Sequence, residues 1–393
     1  VKLKALLAAA LLGAAALAQA QDKPAFTFAM KGFVSMSACY QDGTFFPSQC
    51  QQALMAGAEP ADDASSLSFD VRQSRFNFSV AGPQVLQGAT PKGVLEIDFF
   101  GGQSAGGFGS VSLFPRLRLA YVETDWGKHK LAFGQMNDLV FGAAPTSISH
   151  IAFPLGYGTG NIGWRRPGIW GYHKFGGGGL DIGFDWEIGR SQWNDTAAVG
   201  GGVPTADWGV ASGLPAVEAR LTVTKPKLLT AWVAGHWNSV DGDGLGADVA
   251  DDITVTAVAG GAKLTFQALT VQAAGFFGNN VGPLIGNGLQ FIDPGEDDVS
   301  TVGYWVQAGY NITPKFSLWA LFGAQAPDED AAKDAGMTRL DNQTINAILM
   351  YRDGGMGFSA EWVGFTTTNY DPVADTESED QASTVMLTAT YFF

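Results

Sequence analysis

Polar and apolar residues alternate one by one along this chain, and that period dictates the element it can form. From Leu180 the order is Leu-Asp-Ile-Gly-Phe-Asp-Trp-Glu-Ile-Gly. Leu180, Ile182, Phe184, Trp186 and Ile188 share one face, and Asp181, Gly183, Asp185, Glu187 and Gly189 the other. A β-strand turns successive side chains to opposite faces, whereas helical spacing would scatter these carboxylates around the axis. Leu117, Leu119 and Tyr121 alternate in the same way with Arg116, Arg118 and Ala120. So do Val217, Ala219, Leu221 and Val223 with Glu218, Arg220, Thr222 and Thr224, and Val302, Tyr304, Val306, Ala308 and Tyr310 with Gly303, Trp305, Gln307 and Gly309.

The same period predicts strands near 26–40, 67–81, 92–101, 115–125, 129–137, 168–175, 180–189 and 214–225, then near 228–238, 253–265, 269–277, 300–311, 315–325, 340–352, 355–368 and 383–393. Every second gap is a tight turn, such as Trp126-Gly127-Lys128, Pro226-Lys227 or Asp353-Gly354. The gaps between them, 41–66, 138–167, 190–213, 239–252, 278–299, 326–339 and 369–382, are long and rich in Gly, Asp, Asn and Pro. Short turns at one rim and long loops at the other are the layout of a closed transmembrane barrel. The expected fold is therefore an all-β, antiparallel transmembrane β-barrel of about 16 strands, with 14 or 18 also acceptable. Arg72 and Arg75 have opposite parity on the second strand, and the apolar set shifts from Leu67, Phe69, Val71 to Phe76, Phe78, Val80. A β-bulge near Gln73 reconciles them.

Composition fits a chain that faces lipid. Hydrophobic residues make up 46% and charged residues only 16%, yet after the first twenty residues no stretch reaches the roughly 18 apolar residues of a membrane helix. Acids outnumber bases 38 to 23, which argues against nucleic acid as a partner, because phosphate binding needs a basic surface. Residues 1–20 have the form of a secretory signal peptide. Lys2 and Lys4 precede the apolar run Ala5 to Ala18, and Ala18-Gln19-Ala20 matches the cleavage rule. Residues 21–393 are then the barrel, and loss of the two lysines takes the formal charge from -15 to -17.

The chain closes with Val385, Leu387, Ala389, Tyr391 and Phe393 on one face. This resembles the terminal signature of outer-membrane barrel proteins. The resemblance implies residence in the bacterial outer membrane after export through the periplasm, reading of the last strand by the barrel-assembly machinery, and closure of that strand against the first. Arg72-Gln-Ser-Arg-Phe76, Lys92-Gly-Val-Leu-Glu-Ile-Asp-Phe-Phe-Gly101, Arg118-Leu-Ala-Tyr121 and Leu131-Ala-Phe-Gly-Gln135 resemble early strands of porins. The Asp-Phe-Phe-Gly strand is similar to that of DcaP-like porins, which pass small carboxylates. These likenesses cover about 70 residues and imply a passive diffusion channel, with outer-membrane lipid and small polar solutes as partners. A homotrimer is kept as an expectation to test.

Motifs of other chemistries fail on context. Gly102-Gln-Ser104-Ala-Gly106 has nucleophile spacing but no helical pattern follows it. Gly158-Thr-Gly160-Asn-Ile-Gly163 has dinucleotide spacing but lies inside a long loop. The four histidines show no ligand spacing, and Asp241-Gly-Asp243-Gly lacks the rest of a calcium loop. No catalytic residue, metal site or cofactor is expected. Cys39 and Cys50 flank the start of the first long loop, and an oxidising compartment predicts a disulfide between them.

A barrel of this size should hold water, with selectivity set by rings of side-chain charge. The expected lumen residues are Arg72, Arg75, Lys92, Arg116 and Arg118, with Glu96 and Asp98 among them, and Asp181, Asp185, Glu187 and Glu218 on later strands. The loop 138–167 resembles the porin loop that folds inward, with Asp138, Arg165 and Arg166 as its candidate charges. The arginines could select solutes or brace the wall by pairing with Glu96 and Asp98, and both roles can hold together. The expected function is an outer-membrane porin passing small polar solutes, with an anion preference whose sign the acids of later strands leave open. The alternatives are an outer-membrane transporter of hydrophobic solutes, a barrel enzyme or an adhesin.

Overall fold

A computed structural model describes residues 26–48, 50–57, 65–105, 111–177, 179–192, 208–241, 253–290 and 298–393. The expected signal peptide at residues 1–20 and residues 242–252 of the loop that starts at Asp241 lie outside the described residues. The strands are β1 (Thr27–Asp42), β2 (Ser65–Asp70 continued by Arg75–Ala81), β3 (Thr90–Asp98), β4 (Arg116–Asp125), β5 (His129–Asn137), β6 (Arg165–Gly177), β7 (Leu180–Gly189) and β8 (Ala216–Lys225). They continue as β9 (Leu229–Val240), β10 (Ile253–Phe266), β11 (Leu269–Asn279), β12 (Ser300–Asn311), β13 (Phe316–Pro327), β14 (Arg339–Asp353), β15 (Met356–Asp371) and β16 (Thr376–Phe392). Each pairs with its chain neighbour in one sheet, and the pairing of β1 with β16 closes that sheet into a ring. Seventeen paired segments make sixteen barrel strands, because the two halves of β2 both pair with β1.

Closure runs in antiparallel register from Phe33 opposite Phe392 to Asp42 opposite Ser383, and the Gly32 N–H donates to the Phe393 carbonyl. A closed ring leaves no strand edge with unpaired backbone groups, as a hydrocarbon surround requires. The predicted alternation sets the two faces. Val302, Tyr304, Val306 and Tyr310 point outward and exposed, while Thr301, Trp305 and Gln307 point inward and are buried. On β16, Val385, Leu387, Tyr391 and Phe393 are exposed and Thr384, Met386, Thr388 and Thr390 are buried.

Three details depart from the pattern read in the sequence. β2 breaks between Asp70 and Arg75, where the parity conflict places a bulge, so Leu67 and Phe69 on one side and Phe78 on the other all face outward. On β4 the register slips opposite Glu96 and Ile97, where Leu119 and then Leu117 are the partners. Leu117 and Val122 are exposed outward, and Tyr121, expected beside Leu117, shares the inner face with Glu123. The gap 369–382 is not a long loop: β15 runs to Asp371 and β16 starts at Thr376, so this hairpin is a tall two-stranded projection.

Cys39 is buried on the inner face of β1 and forms a disulfide with Cys50, their Cα atoms 5.6 Å apart. The bond anchors a hairpin, Phe45–Pro47 paired with Ala53–Ala56, that dips into the barrel mouth. There the Ala56 N–H donates to Thr367 on β15, and Asn342 of β14 donates to the Leu54 carbonyl. Thiol labelling of the unreduced, denatured protein should find no free cysteine, and two labelled thiols would refute the bond. Its loss should cost at most ~3 kcal/mol, the loop-closure value for so short a segment.

Candidate functional site

The segment between β5 and β6 turns into the lumen, and its root is fixed by charge. Asp138 accepts hydrogen bonds from Arg166 Nε and Nη2, both at 2.9 Å, and from the Trp164 N–H at 2.8 Å. Inward parity on β7 and β8 brings two more carboxylates to the same place. Glu187 accepts the Leu139 N–H at 3.3 Å and Glu218 the Val140 N–H at 2.9 Å. Arg166 Nε lies 3.4 Å from Glu187 and its Nη2 3.8 Å from Glu218, so one guanidinium serves three carboxylates. His236 on β9 joins them through Nδ1, 2.7 Å from Glu218. All five side chains are sealed from solvent, where an ion stays charged only if paired.

Beyond its root the loop is tied across the barrel. Thr146 and Gln307 of β12 exchange two hydrogen bonds, at 2.7 and 2.9 Å. Ser147 donates to Glu361 of β15, and His150 Nδ1 lies 2.7 Å from the same carboxylate. Ser149 reaches Thr388 of β16 at 2.8 Å. The return limb is held where Trp305 Nε1 donates to Asn161 and Asn342 to the Gly158 carbonyl. Gly158, Gly160 and Gly163 have φ of +74°, +117° and +89°. A Cβ on Gly160 would sit 2.4 Å from the Tyr304 carbonyl carbon, so the spacing that imitates a dinucleotide motif serves close packing against β12.

A guanidinium-rich wall stands on β2 to β6. Arg116 pairs with Asp98 at 2.6 Å, and Arg118 with Glu96 at 2.9 Å and Asp98 at 3.1 Å. Arg75 Nε is 3.7 Å from Glu96, and Arg72 pairs with Asp70 at 2.6 Å. Arg165 stacks on the Trp164 ring at 4.0 Å and, among the described residues, has no carboxylate within ion-pair distance. Arg116 also lies 5.1 Å from the Phe153 ring centre and 5.4 Å from that of Phe100, a cation–π setting. Five guanidiniums thus stand against Asp70, Glu96 and Asp98.

A closed sixteen-strand ring with short turns, long loops and an inward third loop can be compared with known barrels. No family model and no curated protein matches the chain. Solved structures do. The outer membrane channel DcaP of Acinetobacter baumannii superposes with a TM-score of 0.71 at 19% identity, over 95% of this chain and 99% of that one. The fold is that of the outer-membrane porins. OmpT of Vibrio cholerae gives a TM-score of 0.55 at 12% identity over 95% of this chain and 99% of its own, and Salmonella typhi OmpF 0.59 at 11% over 94% and 98%.

Within this porin fold the sequence-predicted residues divide into three groups. Arg72, Arg75, Glu96, Asp98, Arg116, Arg118 and Arg165 come together as the wall just described. Asp138, Arg166 and Glu187, expected as lumen charges, are instead buried at the loop root, because the inward loop covers the positions that β6 and β7 parity turns inside. Asp185 pairs with Arg220 at 2.8 Å, Lys92 lies 3.8 Å from Glu123 towards the short-turn rim, and Asp181 is exposed at that rim. Arg220, His236, Glu123, His150 and Glu361 were missed. Arg220 had the signal of inward parity, and so had His236, whose partner Glu218 lies opposite it on β8. Strict alternation puts Glu123 with the apolar set, and only the register slip on β4 turns it inward. His150 and Glu361 meet only because of where the loop lands. Gln103–Ala105, within the GxSxG segment, is a short strand paired antiparallel with Val111–Leu113.

Proposed function

We propose that this chain forms a water-filled channel of the bacterial outer membrane, through which small polar solutes diffuse passively and whose constriction favours anions. One observation carries the preference: five guanidiniums against three carboxylates on the β2–β6 wall, with Arg165 lacking a carboxylate partner among the described residues. The acids that could oppose them are engaged elsewhere. Asp185 is claimed by Arg220, Glu187 lies under the loop root, and residues 139–164 contain no Asp or Glu. Positive side chains beside a narrowed aqueous path lower the barrier for anions and raise it for cations. Residues 21–393 form the channel, the outward apolar band meets lipid, and the C-terminal strand meets the assembly machinery. The short-turn rim faces the periplasm and the long-loop rim the exterior. OmpT of Vibrio cholerae has a trimer form, and a trimer is the assembly we extend to this chain.

The test is reversal potential in a salt gradient across a planar bilayer. The parent channel should show anion preference, and Arg165→Gln should move the reversal potential toward that of a cation-preferring pore while the β-sheet spectrum is unchanged. An unmoved potential would remove Arg165 and the anion preference from the reading.

A further inference from the structure

A second feature of the same wall lies nearer the short-turn rim. The inner faces of β1, β2 and β3 enclose a niche of about 360 Å³, lined by Lys31, Arg75, Asn77, Lys92, Glu96 and Tyr121 among others. Register explains the convergence. Phe33 is opposite Arg75, Lys31 opposite Asn77, and Asn77 opposite Glu96, so three inward-facing rows bring the cations to one place.

The carboxylates nearby are already engaged. Glu96 is bound by Arg118 at 2.9 Å and by the Asn77 amide at 3.1 Å, and Glu123 lies 3.2 Å from Lys130 and 3.8 Å from Lys92. Lys31 has no ion pair among the described residues. Arg75 donates through Nη2 to the Ile151 carbonyl at 3.3 Å, while its buried Nε makes no hydrogen bond. The setting is basic as a whole. Every described lysine except Lys333 lies in the short-turn half of the barrel. Lys333, at the opposite rim, donates to Glu329 and Glu377, and those hydrogen bonds hold its ammonium above the usual lysine range.

We propose that this niche is a binding station for a compact tetrahedral oxyanion, a phosphate or the phosphate end of a small ester, on the exit side of the constriction. The chemistry favours phosphate over carboxylate. A planar carboxylate is best held by the paired N–H groups of a free arginine fork, and Ile151 occupies part of the Arg75 fork. The Arg75 Nε is buried and faces Glu96 at 3.7 Å, so what remains is two ammonium groups on separate strands, and ammonium groups act as compact point charges rather than as a planar clamp. The proposal rests on the chain being an ion-conducting channel but not on the sign of its selectivity.

Single-channel current in potassium chloride tests it, with inorganic phosphate added on the short-turn side and acetate as the carboxylate comparison. In the parent channel phosphate should lower the chloride current to a plateau with a defined midpoint, and acetate at the same concentrations should not. In Lys31→Gln the midpoint should rise about tenfold, the loss of one charge-assisted contact. Lys225→Gln, which removes an outward-facing lysine of the same half, should leave it unchanged. Absence of a plateau in the parent, an equal block by acetate, or equal midpoints in Lys31→Gln and parent each overturn the niche. A reversal potential that ignores Arg165 while the phosphate midpoint follows Lys31 overturns the anion-favouring constriction and leaves the niche standing.

Discussion

In an Arg166→Met protein the inward loop should come off its root. The substitution removes the one guanidinium shared by Asp138, Glu187 and Glu218 and leaves three carboxylates in a space that excludes water. Breaking a buried ion pair by deleting one partner costs ~3–5 kcal/mol, because the remaining charge is stranded. The barrel itself need not unfold, since its β-ladder closes without the loop. The strain should be relieved by residues 138–140 moving away from β7 and β8 so that the acids reach water. The expected result is a larger and noisier open-channel conductance with an unchanged β-sheet spectrum. Arg166→Lys should restore charge but not the two parallel bonds to Asp138, so its conductance should fall between parent and Arg166→Met. If Arg166→Met conducts like the parent, the root network does not hold the loop.

The root also shows how far the sequence could be read. Where no bulge shifts the register, as one does before Tyr121 on β4, alternation fixes which way a strand residue points, because a closed sheet in lipid admits only one assignment of its apolar face. That is why Val302 to Tyr310, Leu180 to Ile188 and Val385 to Phe393 are legible before any coordinates, and why the parity conflict between Arg72 and Arg75 locates the break in β2. Parity does not say what lies above an inward residue. Glu187 and Asp185 look alike in sequence, two positions apart on one strand. In the fold one is roofed by the loop at Leu139 and the other is paired with Arg220. Arg116 and Arg118 were legible as inward, but not their division of labour. Both are bound to Asp98, so replacing them strands a buried acid as well as removing positive charge, whereas Arg165, buried against the Trp164 ring, has no acid partner among the described residues to strand. The inward hairpin after Cys39 escaped for a related reason. Its Ala53-Leu-Met-Ala segment is too short for a periodic signal, and only its contacts with β14 and β15 show that it is inside.

Steric release of the same loop should reproduce the effect of breaking its root. Gly160 combines φ of +117°, a conformation costly for any residue with a Cβ, with a backbone approach to Tyr304 that leaves no room for one. The neighbour is main chain of β12, fixed between β11 and β13, so it cannot yield as a flexible side chain would. In Gly160→Val the return limb must therefore lift from the wall. Lifting it pulls Asn161 from Trp305 Nε1 and leaves that indole N–H buried without an acceptor unless water follows. Conductance should rise as it does in Arg166→Met. The charges of the β2–β6 wall are untouched, so the two effects separate. Gly160→Val should weaken anion preference only through the wider path, whereas Arg165→Gln should weaken it at parent conductance. A Gly160→Val channel with parent conductance and parent selectivity would mean that the glycine contact with β12 does not set the width of the pore.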